Sequence, residues 1–237
     1  MSGPERDPEQ AILQAWQCNA APWTRAVRGA AIASRRLVTD AAILAAVARR
    51  RPRTAIDLGC GEGWLAHALA RDGIAVLGID AVPALVAAAE AGGPGRFRVL
   101  DYDAIAAGML DERADVAVCN FSLLGGASVD ALLRAMPRLL EPGGALVVQT
   151  LHPAAACGEQ PYRDGWREGS WAGCGEGFAE AAPWYFRTFA GWLASFRAAG
   201  LQLIDLVEPL HPETARPASV IFTLGLCDQV LGAAAES

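Results

Sequence analysis

The segment Asp57-Leu-Gly-Cys-Gly-Glu-Gly63 constrains the fold more than any other part of the sequence. It follows a short apolar run, Thr54–Leu58, which predicts a buried β-strand, and it opens a helix that begins at Trp64. Glycine at positions 59, 61 and 63 lets the backbone turn tightly and approach a ligand. The spacing differs from the dinucleotide fingerprint G-x-G-x-x-G, whose third glycine would fall at position 64. Asp57 suits a ligand that bears an ammonium group and suits a pyrophosphate poorly.

Strands and helices alternate along the rest of the chain. Apolar runs predict strands at 74–80, 96–100, 115–120 and 145–150, with helices between them. This alternation indicates right-handed crossovers and a parallel sheet, hence an α/β fold. Two closing strands are joined by a short Pro-rich link, which is typical of an antiparallel hairpin. The sequence also predicts a helix from Tyr185 to Ala199, and breaks in the N-terminal helical region at Pro22 and Gly29.

The second strand ends in Gly78-Ile-Asp80. A terminal acid at this place can hold both hydroxyls of a ribose, as in nucleotide-binding α/β folds. Taken alone, glycines can mark a tight turn and a strand-terminal Asp can cap a helix. The joint order of strand, D-x-G-x-G-x-G, helix, strand and Asp is much harder to obtain by accident.

On these residues the chain resembles the class I S-adenosylmethionine (SAM)-dependent methyltransferases, over roughly residues 40–226. Further matches are Asp101-Tyr102, the fourth-strand segment 115–122, and Leu139-Leu-Glu-Pro-Gly-Gly144 before the fifth strand. The resemblance implies a doubly wound, mostly parallel sheet of seven strands with the last strand antiparallel. It also implies helices on both faces, an N-terminal helical cap, and SAM as the cofactor.

The resemblance assigns roles to the matching residues. The glycine loop would pass under the methionine part of SAM with Asp57 orienting its amino group, Asp80 would hold the ribose, and Arg35 would meet the carboxylate. The alternative for Arg35 is a solvated helix residue. The cofactor-binding residues expected in this way are Arg35, Asp57, Gly59, Cys60, Gly61, Gly63, Asp80, Ala81, Asp101, Tyr102, Asn120 and Phe121.

We expect a helical cap at 1–40 and a methyltransferase domain at 41–237, with an aromatic lid at about 152–183. Most of the aromatic residues lie between 162 and 196, too many for a free linker. They could form a wall for a planar acceptor, or a small satellite core beneath the loop. The residues expected to bind the acceptor are Trp166, Trp171, Trp184, Tyr185 and Arg187.

His152 follows the fifth strand, at the end of the sheet where α/β folds bind ligands. A neutral imidazole there could act as the base for a hydroxyl or amine acceptor. The alternative is that His152 and Pro153 form a structured exit from the strand. Cys157 and Cys174 together with His152 match no common zinc spacing, and we expect no metal site.

The amino-acid composition argues against several classes of function. All 20 basic side chains are Arg, so the Lys of a P-loop or a Schiff base is missing. The net charge of −6 argues against a general nucleic-acid binder. Six scattered cysteines and the lack of a signal or membrane segment favour a cytoplasmic protein. We therefore expect a methyltransferase for a small-molecule acceptor, a monomer or homodimer with no membrane partner. Alternatives are an RNA or protein methyltransferase, a SAM-binding module without catalysis, and an NAD-dependent oxidoreductase.

Overall fold

The computed structural model describes residues 7–227. The helices are α1 (Pro8–Arg28), α2 (Asp40–Arg49), α3 (Trp64–Arg71), α4 (Pro83–Gly92), α5 (Tyr102–Ala106), α6 (Ala127–Leu139), α7 (Pro153–Ala156) and α8 (Phe189–Ala198), with a π-helical turn at Arg35–Thr39. The strands are β1 (Thr54–Leu58), β2 (Ala75–Asp80), β3 (Arg96–Val99), β4 (Ala114–Asn120), β5 (Leu140–Thr150), β6 (Gly165–Arg167), β7 (Trp184–Phe186), β8 (Leu201–Val207) and β9 (Val220–Leu226).

Seven strands form one sheet in the order β3-β2-β1-β4-β5-β9-β8. The pairs among β1 to β5 are parallel, and β9 runs antiparallel to both β5 and β8. The expected doubly wound sheet with an antiparallel last strand is confirmed. Because the chain reverses its direction of travel along the sheet between β1 and β4, the carboxyl ends of these two strands flank the crevice in which such folds bind ligands.

The strands alternate their side chains between two cores. Ile56 and Leu58 of β1 pack toward α6 and α8, whereas Ala55 packs on the opposite face with Ile43 and Leu65 of α2 and α3. This alternation follows from the two-residue repeat of a strand. The sheet is therefore covered on both sides by apolar packing.

Two local expectations are wrong. Helix α1 continues through Pro22, and Trp16 and Trp23 of the same helix pack against each other with ring centroids 5.0 Å apart. It ends before Gly29, as expected. Residues 184–186 form β7 instead of the start of a helix, since the amide of Tyr185 donates to the carbonyl of Leu124 at 2.7 Å. The helix begins only after Thr188, whose hydroxyl accepts from the amide of Gly191.

The segment between β5 and α8 is ordered around a small hairpin. Strands β6 and β7 pair in antiparallel register, with Trp166 opposite Tyr185. The lid expected at 152–183 therefore contains β6 and the short helix α7, and β7 follows directly after it. Within residues 7–227, none of the helices combines the length and apolar character that crossing a bilayer requires.

Candidate functional site

The glycine loop joins β1 to α3 and is fastened to the end of β2. The amides of Gly59 and Cys60 both donate to the carbonyl of Ile79, at 2.7 and 2.9 Å. Gly59 has a φ of 78°, and a Cβ at this position would collide with Ser122 and lie 3.0 Å from the hydroxyl oxygen of Tyr102. The loop therefore needs glycine here for two reasons, its backbone conformation and the close approach of the neighbouring strand end.

Three carboxyl groups are gathered around this loop. Asp57 is only 1 % exposed, and its Oδ2 has no protein partner. Burial, together with the nearby charges of Asp80 and Glu62, raises the pKa of Asp57 to about 8. Burial also raises the pKa values of Glu62 and Asp80. Carboxyl groups crowded in a buried site would be stabilised by a cationic ligand.

Asp80 ties the loop to the start of α4. Its Oδ2 accepts from the amide of Gly61 and its Oδ1 from the amide of Val82, each at 2.9 Å. A carboxylate has about four acceptor positions, so both oxygens keep a lone pair for ribose hydroxyls. Ala81 stands between Asp80 and Val82 in the sequence. Burial raises the pKa of the Cys60 thiol in the neighbouring loop.

Arg35 lies in the π-helical turn and is 9 % exposed. Its Nε donates to Asp40 at 3.0 Å and its guanidinium carbon lies 4.5 Å from the centre of the Trp64 ring, while Nη2 is buried without a partner. The charge of Arg35 lowers the pKa of Glu62, against the larger effect of burial. Oε2 of Glu62 accepts from Nε1 of Trp23 at 3.0 Å, and its Oε1 has no partner. An unpaired guanidinium nitrogen near unpaired carboxyl oxygens can bind an amino-acid zwitterion.

The ends of β3 and β4 complete the crevice. Asp101 caps α5 through the amide of Ala104, and the partly buried Tyr102 donates from its hydroxyl to the carbonyl of Ser122 at 3.2 Å. The Oδ1 of Asn120 is buried without a partner. Phe121 has a φ of 54°, a strained conformation for an aromatic residue that is typical of functional sites.

Buried polar atoms that lack a protein partner collect at this edge of the sheet. Among the described residues there are nine such atoms. Besides Thr39 Oγ1 and Arg138 Nε, they are Arg35 Nη2, Asp57 Oδ2, Glu62 Oε1, Asn120 Oδ1, Gln149 Oε1, His152 Nδ1 and Trp171 Nε1. Orphaned polar atoms cost free energy, so their concentration marks a place that a polar ligand completes.

The aromatic residues of the lid fall into two separate groups. Trp171 stacks on Phe178 at 4.6 Å and meets Trp16 edge-on at 5.2 Å and Trp23 at 6.4 Å; we call these four residues the cap cluster. Trp166 meets Tyr185 edge-on at 5.4 Å, beside the loop that follows β4. The single aromatic wall expected from the sequence is therefore divided between the cofactor side and the hairpin.

Two of the expected acceptor-binding residues lie elsewhere. Trp184 is on the opposite face of β7 from Tyr185 and packs edge-on against Phe186, so it cannot share a wall with Tyr185. The guanidinium of Arg187 is 3 % exposed and donates to the carbonyls of residues 125 and 126 and to Asp130, at 2.8 to 3.1 Å. Both terminal nitrogens of Arg187 thus have partners within the protein, which favours a structural role over the acceptor-binding role expected.

His152 lies at the exit of β5 and is 6 % exposed. Its Nε2 lies 2.6 Å from Oε1 of Glu208, and its ring meets Phe189 edge-on at 5.2 Å. Glu208 comes from the exit of β8, which is parallel to β5 on the far side of β9. This partner could not be predicted from the sequence, because the two residues are 56 positions apart and meet only through the order of the strands in the sheet.

Sequence reasoning also missed Glu62 and Asn19. Glu62 is an acid between two glycines of the loop, and its charge was a signal that could have been used. Asn19 is fully buried, and its side-chain oxygen accepts from the amide of Ala179 at 2.7 Å, which fastens α1 to the lid. Trp23 of α1 donates to this carboxyl group of Glu62.

Comparison with known proteins identifies the same region. Residues 56–148 match the family model described as "Methyltransferase domain". The chain is similar to the ubiquinone biosynthesis O-methyltransferase of Xanthomonas oryzae pv. oryzae (strain PXO99A), at 36 % identity over 107 residues, which is 42 % of this chain and 44 % of the relative. The protein of the same name from Pseudomonas fluorescens (strain SBW25) is 33 % identical over 102 residues, which is 41 % of this chain and 44 % of that relative. The chain thus spans less than half the length of these relatives.

Solved structures share the fold over a larger part of the chain. The 1,6-didemethyltoxoflavin-N1-methyltransferase of Burkholderia thailandensis, solved with 1,6-didemethyltoxoflavin and S-adenosylhomocysteine, has a TM-score of 0.66 and 19 % identity, over 96 % of this chain and 94 % of that one. A SAM-dependent methyltransferase of Mesorhizobium loti has a TM-score of 0.58 and 23 % identity, over 76 % and 95 %. The glycine loop and the sheet order agree with these matches: residues 56–148 are similar to a methyltransferase domain, and the chain has the class I fold of SAM-dependent methyltransferases.

Proposed function

We propose that this protein is a SAM-dependent methyltransferase that acts on a small-molecule acceptor. The observation that carries the proposal is the pairing of two unsatisfied charged groups beside the glycine loop. Nη2 of Arg35 is free for a carboxylate, and the buried oxygens of Asp57 and Glu62 are free for an ammonium. An α-amino acid presents both groups on one carbon, as the methionine part of SAM does.

SAM supplies an electrophilic methyl group on a sulfonium. The residues of the chain bind and orient: Arg35 and Asp57 fix the amino-acid end, and Asp80 fixes the ribose from the end of β2. The backbone around Asn120 and Phe121 lines the methionine side at the end of β4. Much of the acceleration of a methyl transfer can come from alignment of the acceptor, so the site requires no catalytic triad.

Four features favour a small acceptor. The net charge is −6, and the hairpin places Trp166 and Tyr185 beside the loop after β4, where a planar compound can pack. The fourth-strand segment Asn120-Phe-Ser-Leu lacks the Asn/Asp-Pro-Pro-aromatic motif of enzymes that methylate base amines. The names of the similar proteins refer to ubiquinone biosynthesis and to 1,6-didemethyltoxoflavin, and both compounds are small molecules. All six cysteines are free thiols, and this favours a cytoplasmic location for the protein.

Calorimetry and label transfer test the proposal. S-adenosylhomocysteine should bind, and NAD should not. Asp80→Ala should weaken S-adenosylhomocysteine binding by about 1.5–3 kcal/mol, because charge-assisted hydrogen bonds to the ribose are lost. Asp72→Ala, which removes an exposed carboxylate after α3, is the matched control.

Labelled SAM incubated with a metabolite extract identifies the acceptor. Label in a small compound supports the proposal, and label in RNA or protein supports the alternative macromolecular substrate. Binding of S-adenosylhomocysteine without any transfer would identify a regulatory module. Preference for NAD would refute the cofactor assignment itself.

A further inference from the structure

The pair formed by His152 and Glu208 lies at the carboxyl edge of the sheet. His152 follows β5 by two residues and Glu208 directly follows β8. Strand β9 lies between β5 and β8 and is antiparallel to both, so β5 and β8 point the same way and end at the same edge. The Nε2–Oε1 distance is 2.6 Å, short enough for a charge-assisted hydrogen bond.

This contact determines which ring nitrogen carries the proton. An ionised carboxylate only accepts hydrogen bonds, so Nε2 of His152 must be the donor to Glu208. In the neutral ring, Nδ1 then bears the lone pair. Nδ1 is buried and has no partner in the protein, so the one basic atom of the ring is held ready for a group that the chain itself does not supply.

The position of this atom relates it to the proposed transfer site. The amide of Phe121, the strained residue after β4, donates to the carbonyl of Gln149 in β5 at 2.8 Å. His152 follows Gln149 by three residues and begins the lid through α7. The imidazole thus follows β5, the strand paired with β4, at the edge of the sheet where the crevice lies.

We propose that Glu208 is a positioning residue that holds His152 as the Nε2–H tautomer, and that Nδ1 of His152 is the base for a phenolic hydroxyl acceptor. The inference rests on the proposed function. The acceptor oxygen forms a bond to the methyl carbon while the carbon–sulfur bond breaks and its electron pair stays on sulfur. The hydroxyl proton moves to Nδ1, Glu208 stabilises the resulting imidazolium, and the proton then leaves to water.

The tautomer and the buried lone pair favour a hydroxyl over an amine. A neutral amine attacks through its own lone pair and sheds its proton afterwards, whereas a phenol becomes a strong nucleophile only as its proton is removed. Phe189 packs edge-on against the imidazole and excludes water from one side of His152. Because water is less able to take the hydroxyl proton on that side, a base within the site is useful.

Nitrogen NMR of the imidazole rings tests the positioning role without any acceptor. The chain has three histidines, and His67 provides an internal reference because its Nε2 lies 2.9 Å from the carbonyl of Ala89. In the wild type, His152 should show the Nε2–H tautomer. Glu208→Leu should convert it to a tautomer mixture, and Glu213→Leu, at an exposed position of the same link, should not. An unchanged His152 signal in Glu208→Leu would overturn the proposal.

Methyl transfer tests the base. Wild type and variants are compared on catechol, simple monophenols and their nitro derivatives, whose hydroxyls are already ionised at pH 8. His152→Gln should slow transfer to the plain phenols at least 100-fold, and Glu208→Leu about tenfold, with partial recovery in Glu208→Asp. The nitro derivatives should lose far less, and Glu213→Leu should behave as the wild type.

Equal losses on ionised and protonated phenols would overturn the base assignment, since a purely structural role affects both alike. Label transfer to amines but to no phenol would overturn the acceptor class. Failure to bind S-adenosylhomocysteine, or transfer to no compound at all, would instead refute the proposed function, and the tautomer measurement would still decide the role of Glu208.

Discussion

The two sides of the crevice treat buried charge in opposite ways. On the cofactor side, Arg35, Asp57 and Glu62 each keep a buried polar atom without a partner. On the hairpin side, Arg187 is just as deeply buried, but its guanidinium makes hydrogen bonds to two carbonyls and to Asp130. A buried charge left incomplete indicates a ligand, and a buried charge that is fully paired indicates a structural contact. The following experiments test this contrast.

The largest effect is expected from Arg187→Met. Removing the guanidinium leaves the carbonyls of Gly125 and Gly126 and the carboxylate of Asp130 without their donor, so the free energy of unfolding should fall by about 3–5 kcal/mol. Urea denaturation measures this loss. The affinity of the folded fraction for S-adenosylhomocysteine should change little. A stable variant with altered substrate affinity would show that Arg187 binds a ligand after all.

Gly59→Ala should cost about 2–4 kcal/mol of unfolding free energy. The new Cβ meets Ser122, and the left-handed backbone adds its own strain. Gly73→Ala is the matched control, because Gly73 has a φ of 86° with open space around its Cβ position. It should lose only about 1 kcal/mol. Equal losses at both positions would mean that packing against Ser122 is unimportant.

Arg35→Met is the counterpart of Arg187→Met on the cofactor side. Loss of a charge-assisted contact with the amino-acid carboxylate should weaken S-adenosylhomocysteine binding by about 1.5–3 kcal/mol, or roughly tenfold to 100-fold. The exposed neighbour provides the control as Arg36→Met. Calorimetry measures both variants, and an affinity as high as that of the wild type would leave Arg35 a packing residue over Trp64.

The raised pKa of Asp57 predicts proton release on binding. Below pH 8 this carboxyl is largely protonated in the free protein, and a bound ammonium favours the carboxylate, so the proton must leave. At pH 7, calorimetry in two buffers of different ionisation enthalpy should show release that approaches one proton per S-adenosylhomocysteine. The release should vanish above about pH 9 and in Asp57→Asn. Release that persists in Asp57→Asn would assign the proton to Glu62 or Asp80.

The raised pKa of Asp57 also determines whether the stability of the folded protein rises or falls with pH. An acid whose pKa is raised by folding stabilises the folded state least when it is ionised, so the ligand-free protein should lose stability as the pH rises from about 4 to 8. Saturation with S-adenosylhomocysteine should reduce that loss. Thermal unfolding with and without the ligand measures both slopes.

The smallest effects are expected from the two lid tryptophans. Trp171→Ala opens the cap cluster and should weaken S-adenosylhomocysteine binding a few-fold, because the cluster includes Trp23, which donates to Glu62. Trp166→Ala should leave that affinity unchanged and raise the KM for the acceptor. If both variants changed the same constant, the division of the lid into two groups would have no functional meaning.

The conformation of the glycine loop could be predicted from the sequence because its requirements are local. The glycine loop and its strand are consecutive in sequence, and each parallel strand delivers one end residue, such as Asp80, to the same edge. The element β7 was mistaken for helix because its conformation depends on the carbonyl of Leu124, which lies 61 positions away. The boundaries of the cap and lid, and the roles of the site residues, stay predictions.

What the sequence by itself determined is the α/β fold with its antiparallel last strand, and the glycine loop with Asp57 and Asp80 beside it. These follow from periodicity, from glycine conformation and from the resemblance that they carry. Only the tertiary structure decided which charged groups are paired. It brings Glu208 to His152 and Asp130 to Arg187, and it leaves Nη2 of Arg35 without a partner. The physical reason is that desolvation and hydrogen bonding depend on neighbours brought together by strand order, and side-chain type alone does not specify them.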